Sequence, residues 1–477
     1  MVYRHGIRIQ ENPTSIPSPV MNEAGVPVVF GTAPVNLAKD PVSAVNKLFL
    51  CRNFAEAAAA VGYSADYGNY TLCQAMDAFF KAFGVGPVVF CNVLDPEIHK
   101  KEYAETLDVI DGRAVSGQTG ILLSGLEVRN GQTVLERDND FVAAFNEEGY
   151  VVITVLSSGV EALNVSGSRI DPSQVTALNV AGSYDASTGK ETGIELVRKV
   201  YPEFSMTPSL LLAPGWSKDP IVGLALAEKC ADINGMFKCE CVVDIDTQKA
   251  TKYTDVGDVK LENGYAHKHM VCVWPKVRYA GKDMAFSAVY AALASYSDYN
   301  NDNVPNLSPS NMAIKVSAAV LEDGAEVSLD QSQANELNAV GVVTALNMNG
   351  FKAWGNNTAA FPDTRDPKDR WISCRRFFSW WGNSFITTYM DKVDSPSNYR
   401  LIESIVDSEN VRANSLVSMG KCAGLRMVYS KDDNPVGNVV DGKVVFRQYL
   451  APYTPAEDIL NILEFDPAMI ETALGGE

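Results

Sequence analysis

The residues of this chain best suited to chemistry are His267-Lys268-His269 with Cys272 close behind, and Cys239-Glu240-Cys241 upstream. Imidazole nitrogens and thiolates are zinc ligands, and residues two apart on a strand share a face, so a pair of ligands can meet. The spacing matches no structural-zinc pattern, and a polar strand face beside two buried cysteines accounts for it. A phosphate-binding loop needs G-x-x-x-x-G-K-[ST]. The nearest stretch is Thr188-Gly189-Lys190-Glu191, with Tyr184 in place of the first glycine and Glu191 in place of the magnesium hydroxyl. A turn before a helix Glu195 to Val200 explains it better. Gly84 and Gly86 lack a third glycine and precede a strand, the wrong order for a dinucleotide fingerprint. There are four histidines and no G-x-S-x-G elbow. Asp432-Asp433 stands in turn-like surroundings with Pro435. The run Phe377-Phe378-Ser379-Trp380-Trp381 has helical spacing beside Arg375-Arg376, which favours a buried helix face over a stacking platform for sugars or bases. No catalytic constellation emerges. The expectation is a chain that is not an enzyme and needs no cofactor and no metal.

The bulk properties agree. A chain of 477 residues is too long for one hydrophobic core, so several domains are expected. Its composition, 46% hydrophobic and 21% charged, is that of a folded protein. A net charge of -18 argues against nucleic acid and against anionic membrane, both of which need a basic patch. No apolar run reaches the roughly 20 residues that span a bilayer, and the opening residues carry no apolar signal core. The nine cysteines are scattered, mostly in apolar stretches, and read as buried free thiols.

Along the chain, Gly6 to Glu11 alternates like a strand, and Pro13, Pro17 and Pro19 then keep the backbone extended. Such a strand buries nothing alone and must pair elsewhere. Val26 to Phe30, the helix Thr71 to Phe83 and Val88 to Val93 give a βαβ rhythm. From 112 to 184 short strand candidates and the hairpin signal Asn130-Gly131 indicate a β-rich insertion. The α/β rhythm resumes with Leu210 to Ala213, a helix capped by Asp219-Pro220 and ended by Gly235, and Cys239 to Ile245. Beyond 283 come helices at Met284 to Tyr296, Gln331 to Ala339 and Phe377 to Met390, one opening at Ser395-Pro396, another at Val411 to Lys421, and closing strands Val444 to Leu450 and Ile459 to Phe465. The fold class expected is multidomain, mixing α+β and α/β units.

Several of these segments together resemble one family. Leu210-Leu211-Leu212-Ala213-Pro214-Gly215, followed by an alanine-rich helix and Val242-Val243-Asp244-Ile245, is similar to a characteristic stretch of contractile phage tail sheath proteins. Gly6-Ile7-Arg8-Ile9-Gln10-Glu11 resembles their opening strand, Phe30-Gly31-Thr32-Ala33-Pro34 the motif after it, and Trp371 to Arg376 their late helix start. Phe446 to Pro452 and Ile462 to Asp466 resemble their closing strands. The order of the motifs is more specific than any one of them. One departure is plain: where the family often has an arginine shortly after tryptophan-glycine, this chain has Trp354-Gly355-Asn356-Asn357-Thr358.

The resemblance implies a structural subunit of a contractile tail sheath, in a phage tail or a tail-like particle made in a bacterial cytoplasm. It would polymerise helically with copies of itself around an inner tail tube protein, meet baseplate and tail terminator proteins, and touch neither nucleic acid nor membrane. The arms linking subunits would be Gly6, Ile7, Arg8, Ile9, Gln10 and Glu11 at one end and Ile459, Ile462, Leu463 and Phe465 at the other. Residues 1-22 form the first arm, 23-111 and 185-282 an outer α/β domain, 112-184 its insertion, 283-465 an inner core domain, and 466-477 a C-terminal arm. Glu409, Arg412 and Lys421 are the candidate tube contacts. The alternative is a soluble α/β enzyme or carbohydrate-binding surface protein with a site near Ala213 to Ser217.

Overall fold

Strands whose residues are apolar on both faces must be covered on both faces, which parallel sheets achieve with crossover helices. In the computed structural model, which describes residues 20–21 and 24–475, this logic builds an eight-stranded sheet. Its strands, in chain order, are β1 Val26–Gly31, β2 Leu48–Cys51, β3 Val88–Asn92, β4 Pro208–Leu212, β5 Glu240–Asp244, β6 Met270–Val273, β7 Val342–Asn347 and β8 Phe351–Trp354. Every residue of β1, β3, β5 and β6 is buried. The spatial order is β8-β7-β6-β5-β4-β1-β3-β2. The inner pairs are parallel, and β8 and β2 close the two edges antiparallel. Helix α1, Pro220–Ala231, begins where expected, with the Asp219 carboxylate accepting from the Ile221 N–H at 2.9 Å. The stretch Thr71 to Phe83 is α-helical over Leu72–Met76 and continues in π-helical turns over Asp77–Phe83. Those turns bury Asp77, whose carboxylate accepts from the hydroxyls of Tyr63 and Tyr67.

The sheet does not end at residue 283. Helix α2, Phe286–Asn300, lies almost wholly buried in the same core, and β7 and β8 extend the sheet itself. The break expected there is absent because the edge pair β7–β8 returns to the sheet long after the α/β rhythm has lapsed in the sequence.

A β-rich module interrupts the chain between β3 and β4. Lys100–Asp108, Ala162–Ile170, Glu127–Asn130 and Thr133–Leu135 form one sheet, and Phe141–Phe145, Tyr150–Val155 and Arg113–Thr119 another. They enclose a core of their own, including Tyr103, Leu107, Val128, Phe141, Ile153 and Leu163. The module opens at Lys100, ahead of residue 112, and its last strand closes at Ile170, directly opposite Lys100.

The last unit packs α3, Ile372–Tyr389, and α4, Tyr399–Ser418, onto a two-stranded hairpin of Cys422–Val428 and Arg447–Pro452. Phe377, Trp381, Ala413, Leu416, Cys422 and Leu425 form its core. The aromatic run is thus packing. One helix, α4, replaces the two expected at Ser395 and Val411, because the exposed residues between them lie on its solvent face. The strand Val20–Met21 runs parallel to Val85–Gly86; Gly6 to Glu11 lie outside the described residues.

Candidate assembly surface

Among the described residues, the polar groups at the sheet's carboxyl ends bond mainly to one another and to the backbone. The order of strands reverses between β1 and β4, the place where open α/β sheets bind ligands, and Ala213 to Ser217 sits there. Its groups are used internally. Trp216 Nε1 donates to Thr71 Oγ1 at 3.1 Å, and the Tyr265 hydroxyl donates to the Ser217 carbonyl at 2.7 Å. Ser217 and Ser287 hydroxyls donate to the Asp244 carboxylate at 3.0 and 2.6 Å. Burial pushes the Asp244 carboxyl up despite these donors. The cleft left between Tyr67, Trp216, Lys218 and Lys276 holds about 200 Å³, below the roughly 300 Å³ of small-molecule pockets.

The histidine and cysteine cluster is likewise structural in its contacts. His269 is buried with Nδ1 3.0 Å from the Cys239 carbonyl and 3.3 Å from Glu240 Oε1. Cys239 lies 3.5 Å from Cys230, sulfur to sulfur. Among the described residues no group of three His, Cys, Asp or Glu is placed to hold a metal. No helix among them is long and apolar enough to cross a membrane.

The unusual surface is at the C-terminus. Strand Arg447–Pro452 pairs only with Cys422–Val428 among the described residues, so one side of it is an open edge. The far side of Cys422–Val428 is partly closed by Asn410, whose side chain bonds both the N–H and the carbonyl of Met427. After Pro452 the chain makes no strand or helix until Pro467–Ala473. Along it Ile459, Leu460, Ile462, Leu463 and Phe465 are 83%, 80%, 71%, 87% and 79% exposed. Five large apolar side chains in seven residues are held in water. The stretch Ile459 to Phe465, expected as a strand, has no strand partner among the described residues.

The three charged residues expected to face a tube each make bonds within the subunit. Glu409 is completely buried, accepting from Arg412 at 2.7 Å and from the Tyr389 hydroxyl at 3.1 Å. Arg412 lies over the Trp381 ring, 4.7 Å from its centroid, and donates to Ser384 Oγ. Lys421 is buried, bonded to Asn301 and paired with Asp302 at 2.8 Å. Glu409 and Arg412 are bonded within the late unit, and Lys421 ties it to the residues just after α2. Sequence spacing placed them on late helices but gave no sign of which face would be covered. The charges that α4 does expose include Arg400, Glu403 and Asp407.

In fold, the chain is similar to chains of contractile machines. A chain of the anti-feeding prophage baseplate matches 98% of this chain and 100% of its own length, at a TM-score of 0.58 and 15% identity. A chain of the PVC extracellular contractile injection system, in its sheath complex in the contracted state, matches 98% and 99%, at 0.59 and 14%. The fold therefore belongs to that class. In sequence, the tail sheath protein of Burkholderia phage BcepMu is 23% identical over 490 residues, covering 99% of each chain. The major tail sheath protein of Serratia phage KSP20 is 28% identical over 222 residues, 44% of this chain and 55% of the relative. The tail sheath protein of Escherichia phage P2 is 22% identical over 297 residues, 60% of this chain and 69% of the relative. No family model matches. The chain is thus similar in sequence to tail sheath proteins of phages, to that of BcepMu over nearly its whole length.

Proposed function

We propose that this chain is the structural subunit of a contractile tail sheath, polymerising helically around an inner tube and contracting to drive that tube into a target envelope. The observation that carries the linkage mechanism is the exposed apolar segment Ile459 to Phe465 leaving a unit whose hairpin has an open edge. An extended segment added to a neighbour's sheet gains main-chain hydrogen bonds and buries its side chains, and it covers an edge that would otherwise invite aggregation. A contact in which one surface of a copy meets a different surface of the next does not close on itself, so it builds a helix. Gly6 to Glu11 supply the second arm. No nucleotide is consumed; the extended lattice stores the energy at assembly, and rigid subunits rotate about the strand linkages.

The late unit, from which the C-terminal arm leaves, faces the tube, with the β-rich module outside. Exposed charges of α4 such as Arg400, Glu403 and Asp407 take the tube contact, which must be polar and small to release on contraction. Baseplate and terminator proteins meet the polymer's ends. Electron microscopy of the purified chain tests this: striated tubes are expected. A monodisperse small oligomer that turns over a substrate would favour the α/β enzyme instead.

A further inference from the structure

Between the hairpin and the exposed apolar run, the departing chain crosses a polar cleft of about 600 Å³ walled by Gln331, Asn335, Asn338, Asn356 and Trp354. One side chain of the segment is fixed there. Glu457 accepts from Arg370 Nη2 at 2.9 Å and from Asn356 Nδ2 at 3.4 Å. The arginine is itself held from three sides. Its guanidinium lies 3.9 Å from the Trp371 ring centroid and 4.6 Å from that of Phe361, and its Nε donates to Asn357 Oδ1 at 2.8 Å. A guanidinium stacked between aromatic faces presents its remaining donors in one plane and one direction. Asn357 stands where the resembling family often carries its arginine, and here it and its neighbour Asn356 both serve this site. The next side-chain bond along the segment is the cap of its own terminal helix, Asp466 to Ala468.

We infer that the Arg370–Glu457 pair is the pin that fixes where and in which direction the C-terminal arm leaves the subunit toward a second copy. The inference rests on the sheath reading. An arm that must reach one edge on a neighbour gains from a fixed point of departure, since each residue left free adds conformations that miss the target. The pair is partly exposed, 25% and 33% by side chain, so the pin can pivot without opening the core.

The test compares full-length wild type, Glu457→Ala, Glu457→Gln and Arg370→Lys by electron microscopy of assembled sheaths and by thermal melting of the unassembled subunit. All four are expected to melt alike, because the pair lies outside the cores. Glu457→Ala and Arg370→Lys are expected to lose long, regular sheaths. Glu457→Gln, which keeps an acceptor for Arg370, is expected to recover part of their length. Wild-type sheaths from Glu457→Ala would overturn the pin and leave the sheath reading standing. Loss of sheaths accompanied by a matching drop in melting temperature would assign the pair to stability and also overturn it. Absence of tubes from wild type itself would overturn both.

Discussion

Arg376 of α3 and Asp298 of α2 form a doubly hydrogen-bonded ion pair from which solvent is excluded, at 3% and 2% side-chain exposure. Beside it, Ser379 Oγ donates to Glu240 at 2.7 Å, and Asn383 bonds the backbone N–H and carbonyl of Lys238. The late unit is therefore riveted to the central sheet by polar contacts, unlike the apolar interiors on either side.

Removing one partner of such a pair leaves a buried charge uncompensated. Arg376→Ala should destabilise the subunit by about 3 to 5 kcal/mol. Equilibrium denaturation of the unassembled protein reads this; a loss within about 1 kcal/mol would mean the site is hydrated in solution.

Glu409→Lys should prevent correct packing of α3 against α4, since it sets a cation beside Arg412 in a site with no solvent. The expected cost is on the order of 3 kcal/mol or more. Arg400→Glu with Glu403→Lys should leave the melting temperature unchanged, both side chains being exposed. If Glu409→Lys folded as well as that surface swap, the buried assignment would be wrong.

Residues 100–170 should be dispensable for folding. Lys100 and Ile170 are cross-strand partners, so their Cα atoms are about 5 Å apart and a short Gly/Ser bridge spans them. The module's core is separate from that of the sheet, to which the module lends only Leu122 and Ile170 among its buried apolar residues. Circular dichroism of the bridged protein should show a cooperative melt, and electron microscopy should still show tubes. A folded protein that no longer assembles would make the module part of the lattice.

His99, at the root of that module, accepts the Asp95 N–H on Nδ1 at 3.0 Å. Burial holds its proton affinity below the ordinary value of 6.5, with the Asp95 charge opposing. The unfolded chain thus binds this proton more readily than the folded one. The stabilisation is whole above the ordinary value and is lost as pH falls through the lower folded one. Between about pH 7.5 and about pH 5 the melting temperature of wild type should fall further than that of His99→Asn, whose Oδ1 accepts the same N–H without titrating. Equal falls would remove His99 from the pH response.

The parts that the sequence revealed are those where burial leaves a simple pattern. β1, β3 and β5 read as strands because both faces are apolar, and Asp219-Pro220 announced α1. The pattern failed where it was diluted. Lys100–Asp108 has charged residues on its outer face and only Tyr103 and Leu107 buried, so the module's first strand escaped notice. The edge pair β7–β8 rejoins the sheet from far along the chain, which no local signal reports. Glu409 and Lys421 read as surface charges because a buried charge differs from an exposed one only in its partners. The segment Ile459 to Phe465 reads as a strand in the sequence but forms none among the described residues of the subunit, and its exposed apolar side chains are what direct attention to a second copy.

The measurement that bears most directly on the account is a cryo-EM reconstruction of tubes assembled from the purified full-length chain. The account predicts residues 459–465 as an extended strand hydrogen-bonded to the hairpin of a neighbouring copy, with residues 100–170 on the outside. Failure to form tubes, or tubes in which 459–465 folds back on its own subunit, would contradict it.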